Sequence, residues 1–365
     1  MTRPSAQSGN NQALNPTRPV RVLVVDDSAF MRYTISSHLN GHPRIQVAGS
    51  ARDGQEALDL IPKLNPDVVT LDVEMPRLDG LSTLRRIMAT SPRPVIMLSS
   101  LTKAGAVETI QALTLGAVDF VAKPEQKANI QAVMDEVAAK IVQAAGVRVS
   151  AVFRPVQTFS ERKPTEKKHV RAKLRSDPLV LIGSSTGGPR ALSLVIPSLS
   201  QNLQAAVVVV QHMPAGFTRS LAERLDSSSA LLVKEAEPGD RPEVGKVLVA
   251  PGGFHMTFNE TEQVMLNQNP PVHGVRPAID VTLTSLIQRY ERSVISVILT
   301  GMGSDGTNGS KLLHSLGGTV IAEDESTCIV WGMPRSVYEA GAAKIVVPLE
   351  QVAKSIEQAV QSLKP

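Results

Sequence analysis

Short, β-branched apolar runs recur along this chain, most of them closing on a polar residue before a stretch of helical spacing begins. In the first half they are Val20–Asp26, Ile45–Ala48, Val68–Leu71, Val95–Leu98 and Val118–Val121. Such runs are too short for buried helices and suit strands covered on both faces. Strands that alternate with helices need crossover connections, so the pattern predicts a parallel, doubly wound sheet over residues 20–146. Ser28 is placed to cap the first helix, which carries Phe30, Met31, Ile35 and Leu39. Pro62 falls inside the second helix and is expected to shorten or kink it. The second half repeats the pattern with Leu179–Gly183, Ala206–Val210, Val247–Val249, Val294–Leu299 and Gly318–Ile321. A second doubly wound, mostly parallel α/β domain is therefore expected over residues 178–365.

The remaining segments carry no such pattern. Residues 1–19 are rich in Asn, Gln, Ser and Pro and read as a disordered tail. Between 154 and 175, eight basic residues stand against two acidic ones, more than the whole net charge of +4. With Pro155, Pro164 and Pro178 nearby and no apolar periodicity, residues 147–177 read as a basic linker. Outside it the chain is slightly acidic, which argues against a nucleic-acid partner. No apolar run approaches the ~18 residues of a membrane span, so no membrane insertion is expected. Cys328 is the single cysteine. That excludes an internal disulfide and a cysteine-built zinc site, and it suits a reducing cytoplasm.

Polar residues cluster just past the carboxyl ends of the first five strands: Asp26, Asp27, Asp72, Ser99 and Lys123. In open α/β sheets that edge binds ligands. Three carboxylates converging there repel one another unless a hard cation such as Mg2+ neutralises them. A carboxylate beside Mg2+, with a lysine and a hydroxyl close by, suits phosphoryl transfer onto Asp72. Taken singly, acids at strand ends are often helix caps; together they are a site. Asp26-Asp27, LDVEMPRLDG at Leu71–Gly80 and DFVAKP at Asp119–Pro124 resemble a two-component receiver domain. The resemblance implies a flavodoxin-like (βα)5 fold, Asp72 as phosphoacceptor, and Mg2+ held by Asp26, Asp27 and Asp72. It further implies Lys123 on the phosphoryl group, Ser99 as switch hydroxyl and Phe120 as switch aromatic.

In the second domain, Gly183-Ser-Ser-Thr-Gly187 joins a strand to a helix and matches G-x-S-x-G, a turn that lifts a serine hydroxyl out of a sheet. By itself this turn fits a phosphate cradle equally well. Two further strand ends favour the nucleophile, because His212 follows Ala206–Val210 and Asp305 follows Val294–Leu299. Ser185 would attack an acyl carbon, His212 would take its proton, and Asp305 would orient the imidazole. Rivals are His255, His273 and His314 for the base and Asp280 for the acid. The order Ser, His, Asp differs from the Ser, Asp, His of α/β-hydrolases. Gly301–Gly306 offers backbone N–H groups for an oxyanion hole, with Met302 the first candidate.

The receiver, linker and hydrolase order resembles the chemotaxis protein-glutamate methylesterase (CheB) family. The motifs that carry the likeness are GSSTGG at 183–188, QHMP at 211–214, APGG at 250–253, RPAID at 276–280 and LTGMGSDG at 299–306. The resemblance implies a methylesterase domain that hydrolyses glutamyl methyl esters on methylated chemoreceptors and deamidates selected glutamines. It implies a chemotaxis histidine kinase as phosphodonor, a cytoplasmic monomer, no cofactor for the esterase, and Thr186 in support of Ser185. Two departures touch substrate preference rather than the triad. RPAID lacks the serine often found in that segment, and Ser304 stands where Asn is common. A receiver-linked module with a non-catalytic or DNA-binding output is the alternative.

Overall fold

The structure, a computed structural model, describes residues 18–123, 130–147, 170–173 and 177–363. The tail up to residue 17, the linker over 148–169 and 174–176, and Pro124 lie outside the described residues. The first five runs form β1 (Val20–Val25), β2 (Ile45–Ala51), β3 (Val68–Asp72), β4 (Val95–Ser99) and β5 (Asp119–Ala122). They pair in parallel in the order β2-β1-β3-β4-β5. The helices between and after them are α1 (Ala29–Asn40), α2 (Gly54–Leu64), α3 (Gly80–Thr90), α4 (Lys103–Leu115) and α5 (Ile130–Ala144). Ser28, Asp53, Asp79 and Thr102 cap the first four through their side chains. Pro62 sits two residues before the end of α2, which closes on Asn65 in the left-handed region at φ 43°. The proline thus falls at the end of the helix.

The second domain begins earlier than residue 178. Arg171–Ala172 forms β6, at the end of the expected linker, and pairs antiparallel with β10 (Glu243–Val244). Arg171 meets Asp177 at 2.7 Å, and Lys173 lies 4.1 Å over the Tyr290 ring. The basic charge there is docked on the domain, so the reading of 147–177 as one linker is corrected at its carboxyl end. In chain order follow β7 (Leu179–Ser184), α6 (Gly188–Ser198), β8 (Ala206–Gln211), α7 (Phe217–Ser228), β9 (Leu232–Glu235), then β10 and β11 (Lys246–Val249). The hairpin β12 (His255–Phe258) and β13 (Val264–Asn267) precedes α8 (Ile279–Tyr290) and β14 (Val294–Ile298). The chain closes with α9 (Thr307–Ser315), β15 (Thr319–Glu323), α10 (Met333–Glu339), β16 (Ile345–Val347) and α11 (Leu349–Ser362).

Seven of these strands form a parallel sheet in the order β16-β15-β14-β7-β8-β11-β9. From β7 the chain runs first through β8 to β11 and β9, then returns on the other side through β14, β15 and β16. The carboxyl ends of β7, β8 and β14 therefore border a topological switch point, where such sheets open a crevice. Gly183 in β7 is forced by that geometry. A Cβ there would stand 2.6–2.9 Å from the Ile279 side chain of α8. Gly183→Ala should destabilise the protein by about 1–3 kcal/mol through overpacking, seen as a lower thermal midpoint. An unchanged midpoint would mean that α8 is free to retreat.

Candidate active site

Ser185, His212 and Asp305 converge at the switch point. Ser185 follows β7 by one residue, and its N–H donates to the Thr300 carbonyl at 3.0 Å. The turn into α6 is completed by Gly187, at φ 80°, where a Cβ would stand 2.7 Å from Ile329 Cβ. The left-handed residue of the turn is thus the glycine, and Ser185 is partly exposed beside it. His212 Nε2 lies 2.8 Å from Asp305 Oδ2, which leaves Nδ1 as the ring nitrogen available to a nucleophile. Asp305 also accepts the N–H groups of Ile279 at 2.6 Å, Asp280 at 2.9 Å and Gly306 at 2.9 Å. Burial pushes its carboxyl up, but the His212 contact and the Asp280 and Ile279 N–H groups together hold it below the usual value. An ionised, wholly buried acid behind a histidine is what stabilises an imidazolium.

The rival residues take other parts. His255 is buried, with Nδ1 accepting the Ala278 N–H at 3.3 Å and Nε2 3.2 Å from the Pro270 carbonyl. His273 pairs with Asp280 at 3.1 Å on the rim, and His314 is exposed on α9. Asp280 accepts the Gly309 N–H at 2.8 Å while its own N–H braces Asp305. It supports the acid from behind. The Thr186 and Met302 N–H groups meet no acceptor among the described residues, and both border the cleft.

Gln211 lines the cleft, and the sequence marked it only as part of a motif. Its Nε2 donates to the carbonyls of Ser185 at 2.9 Å and His212 at 3.0 Å, while Oε1 accepts Ser184 Oγ at 2.7 Å. One amide thus ties the nucleophile turn to the base loop. Gln211→Leu should lower kcat by about tenfold and stability by roughly 1–3 kcal/mol, because three polar groups lose their partner. Ser185 labelling by a fluorophosphonate, measured beside thermal unfolding, checks both. Unchanged labelling would remove Gln211 from the site.

Two family models match the chain. The response regulator receiver domain model matches residues 22–135, and the CheB methylesterase model matches residues 180–356. A protein-glutamate methylesterase/protein-glutamine glutaminase of Symbiobacterium thermophilum is 53% identical, covering 94% of this chain and 98% of that protein. The chain belongs to the CheB methylesterase family. Its relatives of the same printed name include those of Geobacillus kaustophilus, 48% identical over 94% of this chain and 99% of the other. That of Pyrococcus abyssi is 46% identical over 95% of each.

This CheB family member brings its receiver acids together. Asp26, Asp27 and Asp72 each bring one carboxylate oxygen within 4.8 Å of the others. Lys123 Nζ lies 2.7 Å from Asp72 and 2.8 Å from the buried Asp26 Oδ2. Burial pushes the Asp72 carboxyl up to about 6, against the opposing pull of Lys123. Three carboxylates this close, balanced by one lysine, fit a hard divalent cation such as Mg2+. Ser99 does not face this group. Its hydroxyl is turned to the Gly105 carbonyl at 3.1 Å.

The receiver closes one side of the cleft, which encloses about 580 Å³. Asp119, Phe120 and Lys140 line it opposite Ser185, His212 and Asp305. Thr186 Oγ1 donates to Asp119 Oδ2 at 2.5 Å, and the Phe120 ring lies 4.6 Å from that of Phe217. Phe120 and Phe217 are both buried, so the expected switch aromatic is an interdomain contact. α4 packs beside it on α7 and α6.

Proposed function

We propose that this chain is a phosphorylation-regulated serine hydrolase that demethylates glutamyl methyl esters, and deamidates selected glutamines, on chemoreceptors. The observation that carries this reading is the His212–Asp305 pair at 2.8 Å, lining one cleft with Ser185 and covered by a receiver bonded to Thr186. Ser185 Oγ attacks the ester carbonyl as His212 Nδ1 takes its proton. The resulting oxyanion is received by the Thr186 and Met302 N–H groups. His212 then returns the proton to the departing methoxide, releasing methanol and leaving an acyl-Ser185. Water, deprotonated by His212, cleaves the acyl bond and yields the glutamate carboxylate. With a glutamine substrate, the proton goes instead to the departing amide nitrogen, which leaves as ammonia.

On the receiver, Asp72 is the phosphoacceptor, and Asp26, Asp27 and Asp72 would hold Mg2+, which draws charge from the incoming phosphoryl oxygens. Lys123 is already 2.7 Å from Asp72 and remains as the phosphoryl partner. The phosphodonor is a chemotaxis histidine kinase, and the protein works as a cytoplasmic monomer. No helix among the described residues is long and apolar enough to cross a membrane. Methanol release from methylated receptor membranes, with and without a phosphodonor, tests the reading. Receptor-dependent release that rises with the phosphodonor is expected; none under either condition would end it.

A further inference from the structure

Behind the cleft, Glu323 is wholly buried at the end of β15. Its Oε2 accepts the Thr300 N–H at 2.8 Å, and its Oε1 accepts Thr327 Oγ1 at 3.1 Å. β14 ends at Ile298, so a side chain takes the bond that a longer strand would have made with backbone. Thr300 in turn holds both residues of the nucleophile turn. Its carbonyl accepts the Ser185 N–H at 3.0 Å, and its hydroxyl donates to the Thr186 carbonyl at 3.0 Å. The same hydroxyl accepts the Val330 N–H at 2.9 Å. Gly301 and Met302 continue from Thr300 along the opposite wall, where a Cβ on Gly301 would stand 2.7 Å from Ser185 Cβ. Any shift of Thr300 therefore moves the nucleophile and the Met302 N–H together.

A carboxyl in such a place is costly unless its oxygens are used. Burial pushes Glu323 up to about 7, opposed by the Thr300 N–H, Thr327, Cys328 and the Arg190 charge on α6. We propose that Glu323 is a positioning residue for ester hydrolysis, its oxygen fixing Thr300 so that Ser185 and the Met302 N–H keep their separation. The inference rests on the esterase reading above. The bond to Thr300 needs an acceptor oxygen, which a carboxamide also provides, so Gln should replace Glu323 where an apolar residue cannot.

The test uses full-length protein with a phosphodonor, steady-state methanol release from receptor membranes, and the rate of Ser185 labelling by a fluorophosphonate. Glu323→Leu should lower kcat and labelling by the same factor, roughly 10–100-fold, with KM unchanged. Glu323→Gln should stay within about threefold of wild type. A folded Glu323→Leu protein with wild-type kcat would overturn the proposal, as would a Gln variant as impaired as the Leu variant, or a loss confined to KM. Should Glu323→Leu not fold, Glu323→Asp retains the charge but withdraws the oxygens by ~1.5 Å. It should lose about tenfold in kcat, and wild-type kcat in that variant would overturn the proposal equally. A wild-type protein that neither releases methanol nor is labelled would instead defeat the esterase reading.

Discussion

Ser185→Ala is expected to remove nearly all methanol release, with a loss on the order of 10⁶-fold in kcat, since triad members act as a unit. His212→Ala should cost about as much for the same reason. Asp305→Asn should cost ~10³–10⁴-fold, and the geometry gives it a second effect. Oδ1 accepts the Asp280 and Gly306 N–H groups, while Oδ2 accepts the Ile279 N–H and faces His212 Nε2. A carboxamide has one oxygen, so its NH2 must face at least one backbone N–H that the carboxylate now accepts. Asp305→Asn should therefore lower the thermal midpoint as well as kcat, whereas Ser185→Ala should leave the midpoint unchanged. Methanol release and thermal unfolding of the three variants, purified together, decide it. More than a few per cent of wild-type activity in Ser185→Ala would rule out the covalent route.

Much of this site could be read from the order of residues because its parts sit where a strand ends. Ser185, His212 and Asp305 each follow a buried run of the parallel sheet, and Asp26, Asp72 and Lys123 do the same in the receiver. A run of β-branched residues closing on a polar one is a local signal, and local signals survive without a fold. The parts that escaped are defined by neighbours far along the chain. Gln211 reaches Ser185 across 26 positions, Glu323 reaches Thr300 across 23, and Asp119 reaches Thr186 across 67. Nothing in their flanking residues announces those partners. The ring orientation of His212 was equally hidden, because it depends on which nitrogen Asp305 meets. β6 escapes the sequence because two residues paired at an edge carry no periodicity, and the charge of Arg171 resembles that of the linker before it.

The receiver should act by covering the cleft. Asp119→Ala should accordingly raise the activity of the unphosphorylated protein by roughly 10–100-fold, since the lost hydrogen bond to a charged acceptor is worth about 1.5–3 kcal/mol. The residue is on β5, and its Oδ2 holds Thr186 next to the nucleophile, at the edge where the oxyanion forms. Phe120 adds the ring contact with Phe217. Phosphorylation can reach this contact through groups already in place. Ser99 now bonds the Gly105 carbonyl in the first turn of α4, and α4 packs on α7, the helix that opens with Phe217. Drawing the Ser99 hydroxyl toward a phosphoryl group on Asp72 would release that turn and loosen the interdomain contact. A few kcal/mol of difference between the docked states suffices for the response. Asp72→Asn should stay at the low, unphosphorylated rate whatever phosphodonor is added. Residues 170–365 alone, which keep β6 on its domain, should be active without one. Measuring methanol release from all of these side by side, with phosphorylation of Asp119→Ala verified, separates the possibilities. An Asp119→Ala protein no faster than unphosphorylated wild type, or a folded 170–365 fragment slower than it, would mean that the receiver assembles the site instead of covering it.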